Sequence, residues 1–411
     1  MIYRITLRLV VLVALSALAL RAQDSKESSS YPRTAVVAGS TTDFAMVRHV
    51  TFRGSNYEIG RQMATFARAN GIGVTPATDP LINRLRREYI KTVYPAYFDR
   101  MRGLAAGFGY DVEDDRWDFS LLWQPMTTGM GCSIVYCPIS SSANEHGLMC
   151  RNYDFTTGTI NGRYPDSGFL PANSRPVMFE IHPDSGYASL AMCDFELLGG
   201  VLDGINSEGL AVAIAADDET TFKYGRQTGN EVGLHELLCM RYLLDNCANV
   251  SQAKEAMLTL KHYYCFIPCH YLIADKQGNS LVFEFSSQRN QSHISEGKGP
   301  QVLTNHPVFA YASIEELPEG WSYDRYRILQ KAVSNGAKYS AGDLITMLSS
   351  VQAMDPPPEN SQYAPHRTLW NALYDLEEQT LQITFYLGES PGSDKEAALR
   401  YSERITVRLV D

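Results

Sequence analysis

The hydrophobic periodicity of this 411-residue chain changes at the stretch MGCSIVYC, residues 130–137. Upstream, from about 56 to 125, apolar residues recur at helical spacing. In YEIGRQMATFARAN, Ile59, Met63, Phe66 and Ala67 share one face. Pro95 marks a break in the helical stretch that follows, and VEDDRWDFSLLWQP supplies another short helix. Downstream, CSIVYC, GLMCRNYDF, PVMFEIH, GYASLAMCDF and GGVLDGINSEGLAVAIAADD are short, rich in β-branched residues and punctuated by Gly, Asn and Asp. They read as successive strands and hairpins, with a turn at Asn206–Gly209.

Two helices are expected within 232–260, the second capped by Ser251. A hairpin follows around Gln277-Gly278-Asn279, then helices at about 321–335 and 341–351. MDPPPENSQ reads as a rigid exposed loop, and three strands close the chain. Strands, a helical block and strands again predict an α+β fold of two sheets faced by helices. A doubly wound parallel sheet would need a regular βαβ alternation, which is missing here.

At 45% hydrophobic and 20% charged, with net charge −10, the composition is that of an ordinary globular protein. It carries no basic tract of the kind that binds nucleic acid. Arg4 and Arg8 precede the apolar run Leu9–Leu20, and Ala17-Leu18-Ala19 offers a small-residue cut site. Residues 1–22 therefore read as a secretory signal peptide, which places the mature chain outside the cell or in a periplasm with no membrane anchor. Residues 23–45 are polar and are expected to form a flexible leader. All eight cysteines lie between 132 and 269, too sparse for a disulfide scaffold, and most read as small buried hydrophobes.

Cys132 stands at the start of a strand, where the familiar activation of a thiol by a helix N-terminus and a histidine fits poorly. A second route uses the nucleophile's own α-amine, with a pKa near 8, as the base. That amine exists only after the Gly131–Cys132 bond is cut. Glycine suits the cut because it has no side chain to obstruct the thiol.

CSIVYC followed by GLMCRNYDF resembles the start of the mature chain in the N-terminal-nucleophile (Ntn) hydrolases. The groups it is similar to are the choloylglycine hydrolase family, which includes bile salt hydrolases and penicillin V acylases, and the acyl-coenzyme A:isopenicillin N acyltransferase-like family. GSNYEIGRQMA, DGINSEGLAVA, RYLLDNCANVSQAKEAM, LTNHPVF and SYDRYRIL resemble further family segments in order, over roughly residues 50–390. The resemblance implies a four-layer αββα sandwich of two antiparallel sheets. It implies self-cleavage into a helical α segment, 46–131, and a β segment, 132–411, that stay associated around one shared core.

The resemblance also implies the site residues. Cys132 is similar to the nucleophile, and Arg151 and Asp154 to the R-N-x-D element. Asp154 would hold the new α-ammonium and Arg151 would favour the thiolate. Asn305 resembles the oxyanion donor, and Arg325 the arginine that supports the site from a later helix. Where bile-acid enzymes carry a second asparagine, this chain has Ala216, followed by Asp217 and Asp218. A backbone N–H is an alternative second donor. The implied activity is hydrolysis of a linear, non-peptide C–N bond in a small N-acyl amide through a thioester, with no metal or cofactor. Acyl transfer to an amine, or an inactive binding homologue, are the alternatives. A homo-oligomer is compatible with the sequence.

Among the remaining polar residues, His262, Cys265, Cys269 and His270 lack a good zinc spacing and read as ordinary strand residues. His235 is expected on a helix surface, Glu208 in a solvated turn, and Tyr94, Tyr97 and Phe98 in packing. His306 reads equally as a substrate contact or a turn residue.

Overall fold

The computed structural model describes residues 31–123, 130–159, 170–171, 173–194, 196–224, 231–286, 291–354, 362–390 and 398–409. The expected signal peptide and most of MDPPPENSQ lie outside these residues.

The chain opens with strands β1 (Arg33–Gly39) and β2 (Met46–Gly54), then helix α1 (Asn56–Ala69). A two-residue strand β3 (Thr75–Pro76) leads to helices α2 (Pro80–Val93) and α3 (Pro95–Phe108), and β4 (Trp117–Asp118) pairs back with β3. The strand block follows: β5 (Met130–Cys137), β6 (Leu148–Thr156), β7 (Val177–Pro183), β8 (Ser189–Cys193), β9 (Asp203–Asn206) and β10 (Leu210–Ala216). Helix α4 (Asp218–Tyr224) and the short β11 (Leu234–His235) precede α5 (Glu236–Asn246) and α6 (Val250–Thr259). After β12 (His262–Tyr263) come β13 (Cys269–Asp275), β14 (Ser280–Ser286), β15 (Gln291–Gly297) and β16 (Gln301–Leu303). Helices α7 (Trp321–Val333) and α8 (Ala341–Ser349) lead to β17 (His366–Asp375), β18 (Thr380–Ser390), β19 (Ala398–Tyr401) and β20 (Ile405–Arg408).

Nine strands form one sheet in the order β1-β2-β7-β8-β9-β10-β13-β14-β15. Seven form a second, in the order β16-β5-β6-β17-β18-β19, with β20 beside β18. The sheets meet face to face where β10 packs on β5. Helix α1 lies on β2 and β7, α5 on β9 and β10, and α6 on β13 and β14. On the other side α7 and α8 cover β5, β6, β16 and β17. The four layers run helix, sheet, sheet, helix, as expected. Strands β5, β6 and β10 are buried along nearly their whole length because both of their faces are covered.

Helices α1 and α3 cross at glycines. A Cβ on Gly60 would sit 2.0 Å from the Arg100 carbonyl oxygen, and one on Gly103 would sit 1.9 Å from that of Tyr57. Ser55 and Glu58 cap α1 reciprocally, each side chain accepting the other's backbone N–H.

Four expectations are corrected. Residues 33–39, assigned to a flexible leader, form the edge strand β1. Strand β2 lies in the segment expected to be helical, and it pairs with β7 in parallel, so the first sheet is not purely antiparallel. Turns and β4 occupy 112–118, where a helix was expected, and no helix occupies 119–123. Helix α6 is capped by Asn249, whose Oδ1 accepts the Gln252 N–H, and not by Ser251.

Candidate active site

Strand period and register set the site. In the β5–β6 ladder Gly131 opposes Asp154, Cys132 opposes Tyr153, and Ile134 opposes Arg151. Side chains alternate between faces. Cys132, Tyr153 and Arg151 therefore point between the sheets, while Gly131, Ser133, Asn152 and Asp154 point toward the α7–α8 layer. Arg151 and Asp154 of the R-N-x-D element thus lie on opposite faces of the strand pair.

On the inner face, Arg151 Nη2 donates to Cys132 Sγ at 3.3 Å and to the Ile214 carbonyl at 3.0 Å. Its Nη1 donates to Asp203 Oδ2 at 2.8 Å. Trp370 Nε1 and Tyr374 Oη, each at 3.3 Å, complete the hold on the Asp203 carboxylate. All six residues are buried. Burial pushes the Cys132 thiol up, and the Arg151 charge opposes that rise. Burial alone would lower the Arg151 pKa, but Asp203 and Cys132 hold it above its ordinary value.

On the outer face, Arg325 Nη1 donates to the Cys132 carbonyl and, at 2.7 Å, to Ser133 Oγ, while its Nη2 donates to Asn305 Oδ1 at 2.8 Å. Asn305 Oδ1 also accepts the Cys132 N–H at 2.7 Å, and its Nδ2 donates to the Ala216 carbonyl at 2.9 Å. An amide nitrogen has two hydrogens. The second has no protein partner among the described residues. Asp154 Oδ1 accepts from Thr368 Oγ1 at 2.5 Å, and its Oδ2 lies 3.9 Å from Arg325. Burial pushes the Asp154 carboxyl up to about 6, against Arg325 and Thr368.

The segment bearing Asn305 is bracketed. His270 Nε2 bonds the Thr304 carbonyl at 2.7 Å, and its Nδ1 lies 3.2 Å from Glu284. Glu284 also accepts the N–H groups of Val308, at 2.7 Å, and Phe309, at 3.0 Å. His306 Nδ1 sits 2.9 Å from Ser322 Oγ, at the start of α7.

Beside Sγ is a cavity of about 20 Å³, measured as space for the centre of a water-sized sphere, which is room for about one water. Its walls include Leu202, Ile214, Leu237, Phe266 and Ile267, so the space that faces the thiol is mainly apolar.

The structure brings together Gly131, Cys132, Arg151, Asp154, Asn305 and Arg325, drawn from β5, β6, α7 and the turn after β16. Sequence reading missed Asp203, Thr368 and Ser133. Asp203 opens DGINSEGL, so its position was visible but its partners, on β6 and β17, were not. His235 is buried rather than on a helix surface, and among the described residues neither ring nitrogen has a hydrogen-bond partner. Tyr94 and Tyr97 are buried and hydrogen-bonded to Asp245 and the Ser120 carbonyl, away from the cavity. Cys239 Sγ lies 3.1 Å from His262 Nδ1, and His270 belongs to the Asn305 bracket.

A family model described as acyl-coenzyme A:6-aminopenicillanic acid acyl-transferase matches residues 141–389. A penicillin V acylase from Pectobacterium atrosepticum is 27% identical over 177 residues, 40% of this chain and 46% of the relative. The chain thus matches less than half the length of that relative. Among solved structures, a mutant conjugated bile acid hydrolase from Clostridium perfringens aligns with a TM-score of 0.44 and 15% identity, over 67% of this chain and 96% of that one. A penicillin V acylase from Agrobacterium tumefaciens aligns at 0.38 and 17%, over 66% and 90%.

Proposed function

Because the chain belongs to the acyl-coenzyme A:6-aminopenicillanic acid acyl-transferase family, we propose that it is a self-processing cysteine amidase acting on N-acyl compounds. The observation that carries this reading is the hold on Cys132. Its Sγ, N–H and carbonyl are each bound by a different buried side chain: Arg151, Asn305 and Arg325. A structural cysteine needs no such frame.

In processing, Cys132 Sγ attacks the Gly131 carbonyl carbon. The C–S bond forms, the C–N bond breaks, and the thiol proton ends on the Cys132 nitrogen. Water then adds to the thioester, releasing the Gly131 carboxylate and the thiol. The new α-amine, beside Asp154 and Asn305, becomes the base for the substrate reaction. There Sγ attacks an amide carbonyl, the amine leaves with the shuttled proton, and water resolves the acyl-thioester. Arg151 stabilises developing thiolate charge, and the second Nδ2 hydrogen of Asn305 meets the oxyanion.

The family description favours a second reading, transfer of the acyl group to an amine in place of water. Adding amine acceptors to a turnover assay separates the two by their products. Under both readings the chain is exported and residues 1–22 are removed. The test is the fragment pattern of purified protein. Two fragments, one beginning at Cys132, are expected for the native chain and one for Cys132→Ala. An acyl-thioester trapped on Cys132 with penicillin V, bile-acid conjugates or N-acyl amino acids identifies the substrate. A native chain in which residue 132 never becomes a terminus refutes the mechanism.

A further inference from the structure

The residue before the nucleophile is pressed against an indole. A Cβ placed on Gly131 would lie 2.3 Å from Trp321 Cη2, 2.6 Å from Cζ3 and 3.1 Å from Asp154 Cβ. Non-bonded carbons do not approach this closely. The ring is held on the face toward Arg325, while Trp321 as a whole is 41% exposed. The Arg325 guanidinium lies over it, 4.1 Å from its centroid, and Arg325 Nε donates to the Trp321 carbonyl at 3.2 Å. Arg325 is in turn fixed by Cys132, Ser133 and Asn305, so the indole cannot shift toward it without disturbing the site. His366 faces the ring at 6.1 Å.

This contact bears on substrate choice, given the amidase reading above. In self-processing, the acyl group that passes to Sγ is the Gly131 carbonyl, and Gly131 Cα is its α-carbon. A substrate acyl group on the same Sγ, with its carbonyl in the same oxyanion site, puts its own α-carbon where Gly131 Cα stood. We propose that Trp321 is a specificity-determining residue that admits acyl groups with an unbranched α-carbon. It rejects those branched on the side of an L-amino acid's Cβ. Straight-chain, aryloxyacetyl-like and other CH2-linked acyl amides fit. Peptides with an L-residue other than glycine on the acyl side collide with the indole, so the same wall keeps the thiol from acting on ordinary peptide bonds.

Two arms test this. Gly131→Ala is expected to slow self-cleavage at least about tenfold, and Gly131→Ala/Trp321→Ala to recover it. On processed enzyme, kcat/KM is compared for the hexanoyl amide and both enantiomers of the 2-methylhexanoyl amide of one amine. The native site is expected to disfavour one enantiomer by about 100-fold, the scale on which a pocket rejects a single surplus carbon, and Trp321→Ala to narrow this below about tenfold. Trp321→Phe keeps a ring under Arg325 but lacks the outer indole carbons. It is expected to relax selectivity in the same direction, which keeps the test decisive if the alanine variant folds poorly. Equal rates for all three acyl groups in an active, processed native enzyme overturn the Trp321 assignment alone, as does wild-type cleavage of Gly131→Ala. A native chain that is neither cleaved nor active on any amide overturns the amidase reading beneath it.

Discussion

Replacing Asp203 by asparagine removes one negative charge from the inner face of the site while keeping the shape of the side chain. In the native chain the Arg151 guanidinium is shared between Asp203, at 2.8 Å, and Cys132 Sγ, at 3.3 Å, with all three groups buried. A thiolate at Sγ therefore meets a cation already neutralised by a carboxylate on the order of 6 Å away. At that distance and an effective dielectric of about 20, the repulsion removed is about 3 kcal/mol. The Cys132 pKa in Asp203→Asn is therefore expected to fall.

The same change leaves Arg151 without a carboxylate in a dry environment, and breaking a buried pair costs about 3–5 kcal/mol. Asparagine retains a hydrogen-bond acceptor, which places the loss toward the lower figure. The assay is the pH dependence of Cys132 alkylation by iodoacetamide, read by mass spectrometry of the peptide carrying that residue, alongside thermal unfolding. Asp203→Glu, which keeps the charge, is expected to leave the thiol pKa nearly unchanged. A folded Asp203→Asn protein whose Cys132 pKa is unchanged or higher refutes the view that Arg151 is the electrostatic partner of the thiol.

Three further outcomes follow from the geometry. Asn305→Ala strands the Cys132 N–H and the Ala216 carbonyl. At about 1–3 kcal/mol for each buried unsatisfied group it should lower Tm by several degrees, and amide turnover should fall about 100–1000-fold. Glu284→Gln weakens the bracket around Asn305. His270 has a raised pKa, against burial, because Glu284 and Asp217 favour its charged form. The pair's contribution is therefore full below pH ~6.5 and lost as pH rises through the folded value, so the Tm gap between native and variant protein should shrink on going from pH 6 to pH 9. Asp194 is pushed up to about 8 by burial. The folded state keeps a proton that the unfolded chain gives up above about pH 4, so stability falls as pH rises from there toward 8. Asp194→Asn should flatten that fall, as measured by Tm against pH.

The strands around the site were legible because their apolar residues and their turn residues repeat at short range. Asn206–Gly209 turns where expected, with the Gly209 N–H bonded to the Asn206 carbonyl and its φ at +79°. Strand β1 was not legible. It is an edge strand with four exposed residues at its start, and no buried stripe distinguishes it from a leader. Strand β2 joins β1 in an antiparallel hairpin, so it was lost together with β1, and its other partner β7 lies more than a hundred residues away in a parallel pairing that leaves no local signal. Within the site, Cys132, Arg151, Asp154, Asn305 and Arg325 could be picked out from motifs. Their division of labour required the register. Asp203 and Thr368 act through residues on other strands, and Trp321 through a single contact with a glycine, so spacing alone does not announce them.

The sheet order also bears on what self-cleavage would leave behind. Strand β2 lies between β1 and β7, and it pairs with β7 over seven residues from Arg48 to Gly54. Val47, Val50 and Phe52 on that strand, with Ile59 and Met63 on α1 and Tyr97 on α3, have no exposed surface. Cutting after Gly131 removes one covalent link but none of these contacts. Pulling the α segment away would open one edge of the nine-stranded sheet and expose side chains whose burial contributes about 1.5–3 kcal/mol each. The two fragments are therefore expected to co-elute on native size exclusion and to separate only in denaturant. An α fragment that leaves the β fragment under native conditions would show that sheet and helix layers are not held as this topology requires.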